Sequence, residues 1–356
     1  MLARSLRGLA MPVMALGAAL AARGAGAATV ACVHNPAELQ AALDAATGST
    51  QETFIELARG AYATTTPFTF YSLASTQGQL DVTGGYDDAC TASEQTPSRT
   101  ILDGGAASVV MKLESWNGIS VRWLTIQNGY QPSNVDGTAG LSVESITGGV
   151  IVHYNILRNN VGNYGFAAMY VGLTPDSFGE TSSAALSVWG NLIVHNTGAD
   201  SPAAAIVYST SSGAVYLTAN TIADNVLTQT GAGLTGGISV LGNTTYISNN
   251  IVYGSSDNTY DLDASGTPVL TDNDIGFSFA SADASSSGNM SIVPRFVGNG
   301  DYHLRANSTL LGVGTLTPAG DLPTIDLDGH ARMFDNAVDL GAYEHGDEVF
   351  ADGFDD

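Results

Sequence analysis

Three side chains at neighbouring phases of a repeat stand out for their chemistry. Arg158, His195 and Asp224 follow asparagines at positions 155, 191 and 220 by three or four residues. A guanidinium, an imidazole and a carboxylate can serve as a general base, a proton shuttle and a cation ligand. If the segments carrying them stack at the roughly 4.8 Å spacing of paired strands, the three groups lie within about 10 Å of one another. The plain alternative is a set of polar residues facing solvent. A second group is acidic: Asp257, Asp261 and Asp263, with Asp272 and Asp274 behind them. Calcium takes several carboxylate and carbonyl oxygens, so this stretch is a candidate calcium loop, or else a solvated acidic loop. A third group is aromatic. His153 and Trp189 each stand two residues before an asparagine of the repeat, and Tyr253 lies further along, in the phase of Arg158. An outward row of such rings would stack on sugars.

The repeat that must position these groups reads Asn, two apolar or Thr residues, two variable residues, then Asn or Ser. It appears at Asn155–Asn160, Asn191–Asn196, Asn220–Asn225 and Asn250–Ser255, with a weaker copy at Asn273. Looser copies are Thr100-Ile-Leu-Asp-Gly104 and Trp123-Leu-Thr-Ile-Gln-Asn128. The leading asparagines are 36, 29, 30 and 23 residues apart. Helical solenoids keep a fixed period, whereas a β-solenoid holds its strands in register and lets its loops vary. Between copies lie β-branched runs such as Gly148–Val152, Ala184–Val188, Gly213–Leu217 and Gly236–Val240. The expectation is therefore an all-β right-handed parallel β-helix, with two or three strands per coil. Ile156, Leu157, Ile193, Ile222, Val252 and Ile275 are expected to fill its core. Asn155, Asn191, Asn220 and Asn250 form one expected column, and Asn160, Asn196 and Asn225 a second, each amide bonding its neighbours in the stack.

One helix is expected, over Pro36–Ala46, with Asn35 as N-cap, proline at its first position and Gly48 beyond its end. It should cap the open end of the stack. The expected organisation is a signal peptide over residues 1–27, an N-terminal cap over 28–80, and coils over 81–290. A closing segment follows over 291–346, then an acidic tail over 347–356. Residues 1–27 carry Arg4, Arg7, an apolar run and an Ala-x-Ala site, the pattern of a secretory leader too short to span a bilayer. Its removal leaves 8 basic against 34 acidic side chains, a formal charge of −26, which argues against a nucleic-acid partner. No later stretch is apolar enough to span a membrane. Export to an oxidising compartment makes a Cys32–Cys90 disulfide the simplest reading of the two cysteines.

The stretch Leu80-Asp-Val-Thr-Gly-Gly-Tyr-Asp-Asp88, the motif Thr100-Ile-Leu-Asp-Gly-Gly105 and the asparagine coils resemble the pectate-lyase-like β-helix superfamily. The ending Ile325-Asp-Leu-Asp-Gly-His-Ala-Arg332 through Val338-Asp-Leu-Gly-Ala-Tyr-Glu344 is similar to that of choice-of-anchor Q domain proteins within it. The resemblance implies a right-handed β-helix on an extracellular or cell-surface protein. The tail resembles the short Phe-x-Asp-Gly-Phe ending of some exported bacterial proteins, a sorting signal; an acidic end without a role is the alternative. Hydrolases of the superfamily group aspartates on adjacent coils, and no such set stands here. The function expected is a secreted or surface-displayed scaffold binding glycans, with a polysaccharide lyase acting on an acidic glycan as the alternative.

Overall fold

The computed structural model describes residues 27–132, 137–231, 233–256, 259–281 and 284–345. Residues 1–26 of the expected signal peptide, the acidic tail and Asp257 lie outside the described residues.

The chain winds as a right-handed parallel β-helix. Three successive coils show how. Leu141–Ser145 pairs with Met169–Leu173, and that strand with Ala205–Ser209, all in parallel register. On the next face Val150–His153, Leu186–Trp189 and Val215–Thr218 stack. On a third, Ile156–Arg158, Leu192–Val194 and Thr221–Ala223 do so. Two-residue strands at Val161–Gly162, Thr197–Gly198 and Val226–Leu227 make a fourth. The stack begins before residue 81, because Thr29–Val33 and Thr53–Ala58 are already rungs in register with Leu80–Tyr86. In the later coils the first two faces run together as single strands, Thr235–Ser248 and Tyr260–Thr271.

Alternation decides what is inside. Leu102, Ile126, Leu157, Ile193, Ile222, Val252 and Ile275 form one inward column on the third face, nearly all fully buried. Ile156, expected in the core, is one residue out of phase and packs outward against the C-terminal segment. Period-two geometry permits only every second apolar residue to enter.

The asparagines occupy the corners. Each follows a residue with left-handed backbone, such as Tyr154, Gly190, Ala219 and Asn249, with φ of 53°, 64°, 54° and 59°. The amide of Asn220 shows the arrangement. Its Oδ1 accepts from the Asn191 backbone N–H at 3.0 Å, and its Nδ2 donates to Val188 O at 3.0 Å and Asn250 Oδ1 at 2.9 Å. The column runs from Asn155 through Asn191, Asn220, Asn250 and Asn273 to Asn289, two members past Asn250. A second, parallel column joins Asn160, Asn196 and Asn225. A buried bend leaves backbone groups without strand partners, and the amides satisfy them.

The helix Pro36–Ala46 covers the N-terminal end, burying Leu39, Leu43 and Ala46, with Asn35 Oδ1 accepting from Glu38 N–H. Gln40 stands in for a missing rung: it donates to Thr69 O and accepts from Thr69 N–H, both at 2.9 Å. The Cys32–Cys90 disulfide ties this cap to the turn after Leu80–Tyr86.

The described part of the C-terminal segment packs against the side of the stack. Residues 290–345 run back along the outside of the coils, over the corner column. Ala342 N–H donates to Thr221 Oγ1, Gly341 N–H to Asn249 O, and Tyr154 Oη to Ile325 O. Their packing needs small or outward apolar groups at the corners: a Cβ at Gly341 would lie 2.5 Å from Thr221 Oγ1. Within the segment, Arg332 is fully buried and paired with Glu344 at 3.6 Å, and its Nη2 donates to Asp339 O and Gly341 O. Asp326 Oδ1 accepts from Asp328 and His330 N–H, and its Oδ2 from Glu344 N–H. The polar residues of the terminal motif thus lock its two halves together. Among the described residues no helix is long and apolar enough to cross a membrane.

Candidate functional site

Where the returning segment meets the third face of the coils, it forms a hairpin. Phe296–Gly298 pairs antiparallel with Asp301–Leu304 across Asn299-Gly300, both left-handed with φ of 57° and 86°. Asn-Gly is the preferred dipeptide for such a turn, because both central residues need positive φ. Alternation then sends Tyr302 and Leu304 toward the coils and His303 outward.

Tyr302 reaches the second corner column. His195 and Asp224 occupy left-handed positions there, with φ of 55° and 54°, so their side chains project from consecutive coils. The Tyr302 hydroxyl donates to Asp224 Oδ2 at 2.7 Å, and its oxygen lies 3.0 Å from His195 Nε2. Burial and the Asp224 carboxylate push the phenol up, so it stays protonated and acts as a donor. The structure therefore brings His195 and Asp224 together, but around a tyrosine of the same chain. Arg158 makes its side-chain bond toward the preceding coil. Its Nε donates to Gln127 Oε1 at 2.9 Å, and Gln127 Nε2 donates to Asp103 Oδ2 at 2.7 Å, forming a polar line that runs toward the preceding coils.

His303, on the other side of the hairpin, lies between two carboxylates. Its Nδ1 is 2.6 Å from Asp301 Oδ1 and its Nε2 2.7 Å from Asp328 Oδ2, and its ring rests on Tyr343 at 4.0 Å. Burial opposes its charge, yet the two carboxylates prevail and raise its pKa to about 9. It is an imidazolium at neutral pH, joining the hairpin to the terminal motif.

The expected sugar-stacking row divides. His153 is buried against Trp189 at 4.1 Å and Tyr154 at 5.3 Å, and burial, followed by the nearby Arg122, lowers its pKa to about 3. Tyr154 stacks on Trp123 at 4.2 Å and meets Trp189 edge-on at 4.6 Å. This cluster carries the returning segment, through Leu327, Ala342 and Tyr343. Those rings face their own chain. Tyr253 does not join them: together with Asp224, Arg295, Phe296, Arg305 and Asn307 it lines a cleft of about 520 Å³. Val293, 65% exposed, stands at its rim. Arg59, Arg99, Arg122 and Arg332 are each held in an ion pair, whereas Arg295 and Arg305 have no such partner among the described residues.

The described acids of the loop, Asp261 and Asp263, take separate places. Asp261 turns into the coil, where Oδ1 accepts from Ser255 N–H at 2.7 Å and Oδ2 from Phe277 N–H at 3.0 Å. Asp263 faces the outer sheet beside Ser239. Among the described residues no three acidic, histidine or cysteine side chains are grouped for a metal ion. Both oxygens of Asp261 serve backbone donors, which a cation would have to displace.

Arg295, Tyr302, Arg305 and Asn307 escaped the sequence reading. Asn299-Gly300, set between two short β-patterned runs, is the signal that marks their hairpin.

No protein-family model matches the chain, and no curated protein does. Among solved structures it is similar to a pectin methylesterase from Aspergillus niger in deglycosylated form, at 13% identity and a TM-score of 0.32, covering 74% of this chain and 90% of that one. It is also similar to pectate lyase Pel9A, at 14% identity and a TM-score of 0.30, covering 86% of this chain and 90% of that one. At these values the likeness transfers no residue and no activity to this chain.

Proposed function

We propose that this protein is an exported β-helix scaffold that binds glycans, and that its sugar-binding seat is the cleft under Tyr253. The observation that carries the reading is the composition of that cleft. A tyrosine and a phenylalanine ring stand beside two guanidiniums, a carboxylate and an amide. An aromatic wall packs on the apolar face of a sugar ring while convergent polar groups bond its hydroxyls. The reading places binding at Tyr253 and assigns His153 and Trp189 to packing. The bonding of Arg158 to Gln127, and of Asp224 to Tyr302, favours the scaffold reading over the lyase alternative.

The test is a glycan array probed with the exported chain and its Tyr253→Ala and Trp189→Phe variants. Tyr253→Ala should weaken binding about tenfold, or 1.4 kcal/mol, while Trp189→Phe keeps it. Absence of binding to any polysaccharide defeats the reading. Release of unsaturated uronide products, followed by ultraviolet absorbance, would establish the lyase alternative in its place.

A further inference from the structure

We propose that the Arg295–Arg305 side of this cleft is the docking site of the chain's own C-terminal residues 346–356, Gly346 and the acidic tail that follows it. Three observations carry it. The first is charge. The tail holds Asp347, Glu348, Asp352, Asp355 and Asp356 and no basic residue, in a chain of formal charge −23. An acidic peptide is repelled by most of this surface and attracted to unpaired cations. Arg295 and Arg305, without an ion-pair partner among the described residues, line one cleft; Arg305 Nη2 donates to Val297 O at 2.7 Å, and the cleft's carboxylate, Asp224, accepts from Tyr302.

The second is position. His345, the last described residue, lines a cavity of about 340 Å³ whose wall also includes Arg305. Arg305 in turn lines the Tyr253 cleft. The last described residue therefore stands at a cavity that Arg305 shares with the Tyr253 cleft. The 11 residues beyond it span at most about 36 Å when extended, ample for the distance. A tether this short gives an effective concentration in the millimolar range, so a weak contact suffices.

The third is apolar complementarity. Phe350 and Phe354 are spaced among the acids, and the cleft offers Tyr253, Phe296 and the exposed Val293. Carboxylates on guanidiniums, with phenyl rings on an aromatic wall, use both halves of the lining.

The proposal concerns the cleft assigned to glycans but does not rest on that assignment; docking needs only the chemistry of the tail and the two arginines. Its consequence for that assignment is competition, the tail vacating the cleft when a ligand enters.

The test is hydrogen–deuterium exchange on the intact chain, with no sugar present, against a synthetic peptide of residues 346–356. Amides of the tail should exchange about tenfold or more slowly in the chain than in the peptide. The Arg295→Gln/Arg305→Gln double variant should lose that slowing, as should 1 M salt, where the screening length falls to about 3 Å. Protection of the Asn191 amide in the buried column reports that the variant is folded. Tail exchange equal to that of the free peptide overturns the proposal, and so does slowing that persists in the double variant. Because no sugar is present, failure here leaves the glycan reading standing.

Discussion

Replacing Asn220 by alanine should destabilise the middle of the stack more than most single substitutions. Asn220 is fully buried, and its Oδ1 is the acceptor for the backbone N–H of Asn191 at 3.0 Å. Alanine leaves that N–H buried without a partner, which costs about 1–3 kcal/mol. The Nδ2 bonds to Val188 O at 3.0 Å and Asn250 Oδ1 at 2.9 Å go as well, each worth about 1 kcal/mol net. Thr218 O, which also accepts from Nδ2, keeps the Gly190 N–H as a donor and adds little. The expected loss is therefore about 3–5 kcal/mol. Asn220→Asp should be at least as damaging, because it keeps the acceptor but removes both donors and buries a charge. Asn289→Ala, at the partly exposed end of the same column, should cost far less, since water replaces the lost partner. Urea denaturation followed by far-ultraviolet circular dichroism, with limited proteolysis to locate the first cut, measures all three. Equal losses at 220 and 289, or a loss at 220 below about 1 kcal/mol, would refute the view that burial of the orphaned bend donor sets the cost.

Other consequences follow from the cap and the returning segment. Removing the Cys32–Cys90 disulfide opens a loop of 58 residues and should cost about 4 kcal/mol on the chain-entropy scale, seen as earlier urea unfolding of the N-terminal cap in the double serine variant. His303 has a folded pKa raised to about 9 above an ordinary value of 6.5, so its contribution is complete below about pH 6.5 and lost as pH rises through about 9. Exchange of the Asp301–Leu304 amides, corrected for the intrinsic base-catalysed rate, should accelerate across that window, and His303→Gln should abolish that residual dependence. Arg332→Ala leaves the Glu344 carboxylate buried without its cation and should loosen residues 325–344 by about 3–5 kcal/mol, read as protease cleavage there while the coils stay intact.

Most of the architecture was legible because it is periodic. The recurrence of Asn155, Asn191, Asn220 and Asn250 marks one corner of every coil, and unequal spacing between them is tolerated only by a fold whose loops leave the register untouched. The helix Pro36–Ala46 was legible from its own cap, proline and apolar spacing, all local signals. Ile156 and Leu157 show where such reading stops: two adjacent apolar residues look alike in sequence, and alternation about the corner admits only Leu157 to the core. Asp261 looked like a metal ligand in a run of acids, and its part in capping Ser255 and Phe277 appears only once two turns distant in sequence are adjacent in space.

The sequence by itself determined a stacked β-solenoid, with buried amide columns, a capped N-terminal end and an excess of negative charge, because each of these is written in local spacing or composition. The path of residues 290–345 belonged to tertiary structure alone. No periodicity links Tyr302 to His195 and Asp224, or Ile325 to Tyr154, separated by 107, 78 and 171 residues. That path turned the corner aromatics into packing for the chain's own return and gathered Arg295 and Arg305 beside Tyr253. Contacts of that kind depend on where a chain lies, and a sequence read along its length carries no measure of it.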